Sequence, residues 1–251
     1  MSDSSRSSEE KPGTPQADVS EWNLQRLGSD IDPIHESFAK LNGLMTRAFA
    51  GASSSKWPEH GVSIAMLFGW AFGRLVNAYR LVLDGYFCDS AMLLRAAWEA
   101  KWQLFAFDIE ASQVSPEADS KISRWTAGEW IGQGKVRQMF SAPNVLTDHY
   151  SELSALTHPG NIRAVRLQVE ETTDANGITL GQRLGGIKNA TVTDTILSVI
   201  WQETLDLIGY VPLAFPETVD DPDSLHKWHE GMMSRRREFG DRRLPSVDGQ
   251  L

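Results

Sequence analysis

The most apolar stretch of the chain, Ile64 to Leu83, runs straight into Asp84-Gly85, and a second long apolar run follows from Cys88 to Asp108. In the first run Ile64, Leu67, Phe68, Ala71, Phe72, Leu75, Tyr79 and Val82 recur at helical spacing and make a wide apolar stripe. Asp-Gly is a tight break, and two long helices joined so briefly must turn back on each other as antiparallel neighbours. Arg74, Asn77 and Arg80 make the first run too polar for a membrane span. The chain is therefore expected to fold around two packed helices, with no membrane partner.

Other segments extend this pattern. From Asp32-Pro33 to Ala50, the residues Ile34, Phe38, Leu41, Leu44, Met45 and Phe49 predict a helix, with Pro33 suited to its first turn. Ser115-Pro116-Glu117 opens a fourth helix that Gly128, Gly132 and Gly134 weaken, and a short fifth helix from Asp148 to Leu156 stops at Pro159-Gly160. The period then changes. Val165, Leu167 and Val169 alternate with polar residues, and Ile178 and Leu180 do so again after Asn176-Gly177, which predicts a β-hairpin at about 163–184. Helical spacing returns from Val192 to Ile208, to end at Pro212 and Pro216, and a last helix spans about Ser224 to Phe239. The expected fold class is mainly α: an antiparallel helical bundle with one β-hairpin insertion.

The first twenty residues hold almost nothing apolar, so Met1 to about Ser20 is expected to be a disordered tail. Residues 21–240 then form a single helical domain, and 241–251 a flexible C-terminus. The tail lacks the apolar core of a secretory signal, which makes the expected location cytoplasmic. Cys88, the only cysteine, forms no internal disulfide and reads as a small core residue. A net charge of -9 disfavours general DNA binding. Arg235-Arg236-Arg237 and Arg242-Arg243 are interleaved with Glu238 and Asp241 and read as a solvated helix end.

Arg95 and Glu99 are set one turn apart into Ala91-Met92-Leu93-Leu94-Arg95-Ala96-Ala97-Trp98-Glu99-Ala100-Lys101-Trp102. Lys101 lies about 200° around the helix from Glu99 and, with Asp108, marks the expected wet side. Glu99 is thus expected to point inward, where carboxylate and guanidinium must be paired. Thr157-His158-Pro159 is the second polar point, since a residue before proline is pushed out of helical geometry and leaves the ring of His158 free. If the fifth helix crosses the third, Arg95, Glu99 and His158 meet as an anion holder, an orienting carboxylate and an acid or base. A structural role suits the same residues: the pair ties helices, and the histidine caps carbonyls.

Weaker candidates are Asp84 and Asp89 beside the turn, Asp148, His149 and Glu152 on the fifth helix, and the surface pair His226 and His229. None has the ligand set of a metal site, so no metal or cofactor is expected. Gly-x-Gly-x-x-Gly, phosphate-loop and Gly-x-Ser-x-Gly motifs do not occur, which removes most nucleotide-dependent and serine-hydrolase classes.

Asp84-Gly85-Tyr86 through Ala100, and Leu153-Ser154-Ala155-Leu156-Thr157-His158-Pro159, resemble a loose group of uncharacterised bacterial helical proteins with a Gly-Tyr turn, a Leu-Arg-x-x-x-Glu helix and a later Ser-x-x-x-His. A more distant likeness is to the HEPN superfamily, which includes metal-independent ribonucleases of toxin and defence systems. Their usual Arg with His four to six residues behind it is missing here, so that likeness implies activity only if folding joins Arg95 to His158. Two functions remain open: a binding or interaction module taking a small anionic ligand at Arg95, Glu99 and His158, or a hydrolase of RNA or a nucleotide. Self-association through the hairpin or through Trp22 and Trp57, giving a homo-oligomer, is also open.

Overall fold

The computed structural model describes residues 15–52, 60–113, 124–125, 127–128, 169–174, 177–182 and 186–244. It is mainly helical: α1 (Pro15–Leu27), a 3-10 turn (Gly28–Ile31), α2 (Asp32–Ala50), α3 (Gly61–Leu83), α4 (Phe87–Gln113), α5 (Ala190–Ala214) and α6 (Pro222–Arg243). Two short strands, β1 (Val169–Asp174) and β2 (Gly177–Gln182), pair antiparallel with Glu171 opposite Leu180. The expected fifth helix lies outside the described residues, as does the expected fourth apart from residues 124–125, which are helical, and 127–128, which form a turn.

Contacts fix the directions of the helices. His35 and Phe38 of α2 meet Tyr79 of α3, while Phe49 lies against Gly69, so α2 and α3 run in opposite senses. Helix α3 turns into α4 through Gly85, whose φ of 79° a side chain would strain. Ser90 Oγ then donates to the Ala78 carbonyl at 2.7 Å and pins α4 back on α3. Helix α5 runs alongside α4 and α2, with Tyr210 donating to Leu104 O at 2.9 Å and the Trp201 indole donating to Ser37 Oγ at 3.0 Å. Helix α6 returns along α5, where Arg236 reaches Ser198 O and His229 reaches Leu205 O.

The core follows from this arrangement. Ile64, Phe68, Ala71, Leu75 and Val82 of α3 are fully buried, together with Leu41, Leu94, Leu104, Ile200 and Leu205 from the surrounding helices. Helix α3 is the one described helix long and apolar enough to cross a membrane by length and composition. Its buried side is instead filled by α2, α4 and α5.

Several boundaries differ from expectation, among them the end of α4, which runs on from Asp108 to Gln113. Helix α1 begins at Pro15, inside the expected tail, because Val19, Asn23 and Leu27 share one face and are buried. Asn23 Nδ2 donates to the Leu83 carbonyl at 2.7 Å, so this helix caps the end of α3. Helix α5 continues through Pro212 to Ala214. So near the helix end, a proline forfeits one intrahelical bond, which packing of Val211 and Ala214 outweighs. Helix α6 runs from Pro222, behind an Asp221 cap, into the expected flexible terminus, held by Arg242 and Arg243 on Asp30.

Candidate functional site

Helix α4 carries both ionic features that matter, on opposite sides. Arg95 Nε donates to Glu99 Oε1 at 3.1 Å, as the one-turn spacing requires, and about a quarter of each side chain is open to solvent (24% and 25%). The inward orientation expected for Glu99 is thus corrected: the pair borders the wet side, next to exposed Met92.

Lys101 holds the buried position. Its side chain is 4% exposed, with Nζ 2.8 Å from Glu203 Oε2 and 2.6 Å from Asp206 Oδ2 of α5. The rotation of about 200° between Glu99 and Lys101 stands; which of the two faces water is reversed. Burial alone would lower the Lys101 ammonium, but the charges and hydrogen bonds of Glu203 and Asp206 outweigh it and hold the group above the ordinary lysine value. Gln202 donates to the second Asp206 oxygen at 2.6 Å. Arg236 of α6 lies in the same field: burial lowers its guanidinium, and Asp206 and Glu203 oppose that. Sequence reasoning missed this cluster. Its signal was the pair Glu203 and Asp206, three apart in the apolar run from Ile196 to Ala214, where two carboxylates demand a buried cation.

The remaining candidates separate. His158, Asp148, His149, Glu152 and Trp57 lie outside the described residues, so Arg95 and Glu99 are the members of the expected trio that are described together. Asp84 is half-buried at the α3–α4 turn and Asp89 is exposed. Among the described residues no group of three or more His, Cys, Asp or Glu side chains is placed to hold a metal ion. His226 is exposed and 3.4 Å from Glu230. His229, expected at the surface, is half-buried on the Leu205 carbonyl at 3.0 Å, with its ring beside Gly209. Trp22, a candidate for self-association, is half-buried with the Arg26 guanidinium 5.4 Å above its ring. Cys88 is half-buried, short of the full burial of a core residue.

The C-terminal arginines are ties more than a solvated end. Arg243 and Arg242 pair with Asp30, Arg243 also donates to the Arg26 carbonyl at 3.2 Å, and Arg26 grips buried Asp194 through two bonds of 2.8 and 2.7 Å. Burial would raise the Asp30 carboxyl; the hydrogen bonds and charges of Arg243 and Arg242 hold it below its ordinary value. Comparison with protein-family models, curated proteins and solved structures finds no match.

Proposed function

We propose that this chain is a cytoplasmic binding module, an antiparallel helical bundle with the β1–β2 hairpin as a side insertion, that takes a small, partly anionic ligand at Arg95 and Glu99. The observation that supports it is the division of labour on α4. Lys101 is committed to Glu203 and Asp206 inside the protein, whereas the Arg95–Glu99 pair is oriented by its own hydrogen bond and reachable from water. A guanidinium held by its Nε against a carboxylate is aimed before any ligand arrives, which lowers the ordering cost of binding. Glu99 fixes the fork, and the planar donors of Arg95 suit a carboxylate or phosphate.

Titration calorimetry of the full chain against inorganic phosphate and nucleoside mono- and diphosphates tests the reading. Binding should weaken at least about tenfold in Arg95→Gln, the loss expected for one charge-assisted contact of about 1.5–3 kcal/mol. Equal affinity in that variant, or no binding by any of these anions, rejects it. Degradation of RNA in the presence of a chelator, lost in His158→Ala, would replace the binding module by a metal-independent hydrolase.

A further inference from the structure

Helix α3 buries one side and leaves the other open along its length. Val62, Met66 and Trp70 are 62%, 60% and 45% exposed, and Asn77 and Arg80 continue the stripe toward its C-terminus. With Gly69 and Gly73 these positions span about 100° of the helix, opposite Ile64, Ala71, Leu75 and Val82. Phe49, at the end of α2 and itself exposed, rims the stripe: a Cβ at Gly69 would lie 3.3 Å from its ring, whereas one at Gly73 would meet nothing within 4 Å. Gly73 therefore leaves a shallow notch beside these exposed apolar side chains, while the Phe49 ring covers Gly69.

Both charged residues of α3 are basic, and like Arg47, Arg236 and Arg237 they form no ion pair among the described residues. Arg26, Arg95, Arg235, Arg242 and Arg243 are all ion-paired. Arg74 instead lies 4.7 Å over the Trp70 ring, Arg80 is exposed, and among the described residues neither has an ion-pair partner. Helix α3 contains no acidic residue. A chain with 33 acidic and 24 basic residues thus keeps two arginines without described carboxylate partners beside an exposed apolar stripe.

We infer that this face docks an acidic amphipathic helix of a partner protein. Its apolar side chains cover Met66, Trp70 and Phe49, its backbone approaches over Gly73, and its carboxylates meet Arg74 and Arg80. Met66 to Arg80 is about 21 Å along the axis, so four turns of partner helix span the stripe. A second copy meeting through the same face supplies no carboxylate and sets Arg74 and Arg80 against their own kind. Two cations on a chain of net charge -9 draw weakly on an anionic bilayer, and a notch suits a helix better than a flat surface.

The test uses the full chain and a fluorescent, lactam-bridged helical peptide of about five turns, with leucines on one face and glutamates on the other, beside its lysine counterpart. Anisotropy should show the glutamate peptide binding at least tenfold tighter than the lysine one. Met66→Lys should weaken it at least tenfold, and Arg80→Glu should turn the preference toward lysine; both positions are exposed, so the melting temperature should stay unchanged. Absence of binding at millimolar peptide, indifference to peptide charge, or full affinity in Met66→Lys overturns the inference. So does a dimer seen by light scattering, or sedimentation with phosphatidylserine vesicles, when either is lost in Met66→Lys, because the face then belongs to a second copy or to a membrane.

Discussion

Replacing Lys101 with methionine removes the cation that Glu203 and Asp206 both face, and leaves the 8%-exposed Glu203 carboxylate without its ammonium partner. Breaking a buried pair from one side costs about 3–5 kcal/mol, so Lys101→Met should lower the urea midpoint sharply. Lys101→Met combined with Glu203→Leu should recover at least half of the loss, since no charge is then stranded at position 203. Arg95→Gln is the opposite case. Its pair with Glu99 is about a quarter exposed and in helical register, and is worth about 0.2–1 kcal/mol, so stability should move far less than in Lys101→Met while anion binding falls. Two variants six residues apart on one helix thus separate a structural charge from a binding charge. Tyr79 shows the same logic without an ion: His35 shares a hydrogen bond with its hydroxyl at 2.5 Å, and burial pushes the phenol well above its ordinary range.

The α3–α4 turn depends on glycine in two strands of backbone at once. Gly186 and Ile187, leading into α5, cross directly over Asp84 and Gly85, with Ile187 N donating to Gly85 O at 3.2 Å. A Cβ at Gly186 would lie 1.6 Å from Asp84 O, and one at Gly85 would lie 2.3 Å from Ile187 N. Because the obstruction is backbone, Gly186→Ala should destabilise by at least the amount typical of overpacking, about 1–3 kcal/mol. Gly231 sits in the exposed middle of α6, where an added Cβ would meet nothing within 4 Å. Gly231→Ala should stabilise by about 0.5–1 kcal/mol through helix propensity alone. Thermal unfolding should resolve both, at roughly 2–4 °C per kcal/mol for a chain of this size.

Across the molecule, ion ties join segments far apart in sequence: Asp30 with Arg242 and Arg243, Arg26 with Asp194, and Lys101 with Glu203 and Asp206. They set the pH limits of the fold. Asp30 titrates below its ordinary 3.8, so its contribution is present above that value and is lost as pH falls through the lower folded value. Lys101 titrates above its ordinary 10.5, so its contribution is complete below that value and fades as pH rises through the higher folded one. Urea midpoints should fall at both extremes; Asp30→Asn should flatten the acid limb below the ordinary 3.8 of an aspartate, and an unchanged limb would refute its assignment. Apolar periodicity alone determined the mainly helical class, the bounds of α2 from Asp32 to Ala50, and the one-turn pairing of Arg95 with Glu99, because these depend on neighbours within a few residues. Tertiary structure decided which side of α4 is wet. Both Lys101 and Glu99 interrupt the same apolar pattern, and only Glu203 and Asp206, about a hundred residues away, make the lysine side the one that water leaves. The same holds for α1 and the end of α6, whose polar sequences order because Asn23 reaches Leu83 and the terminal arginines reach Asp30. Ion pairs between distant segments leave no periodic trace, so they are settled only when the chain has folded.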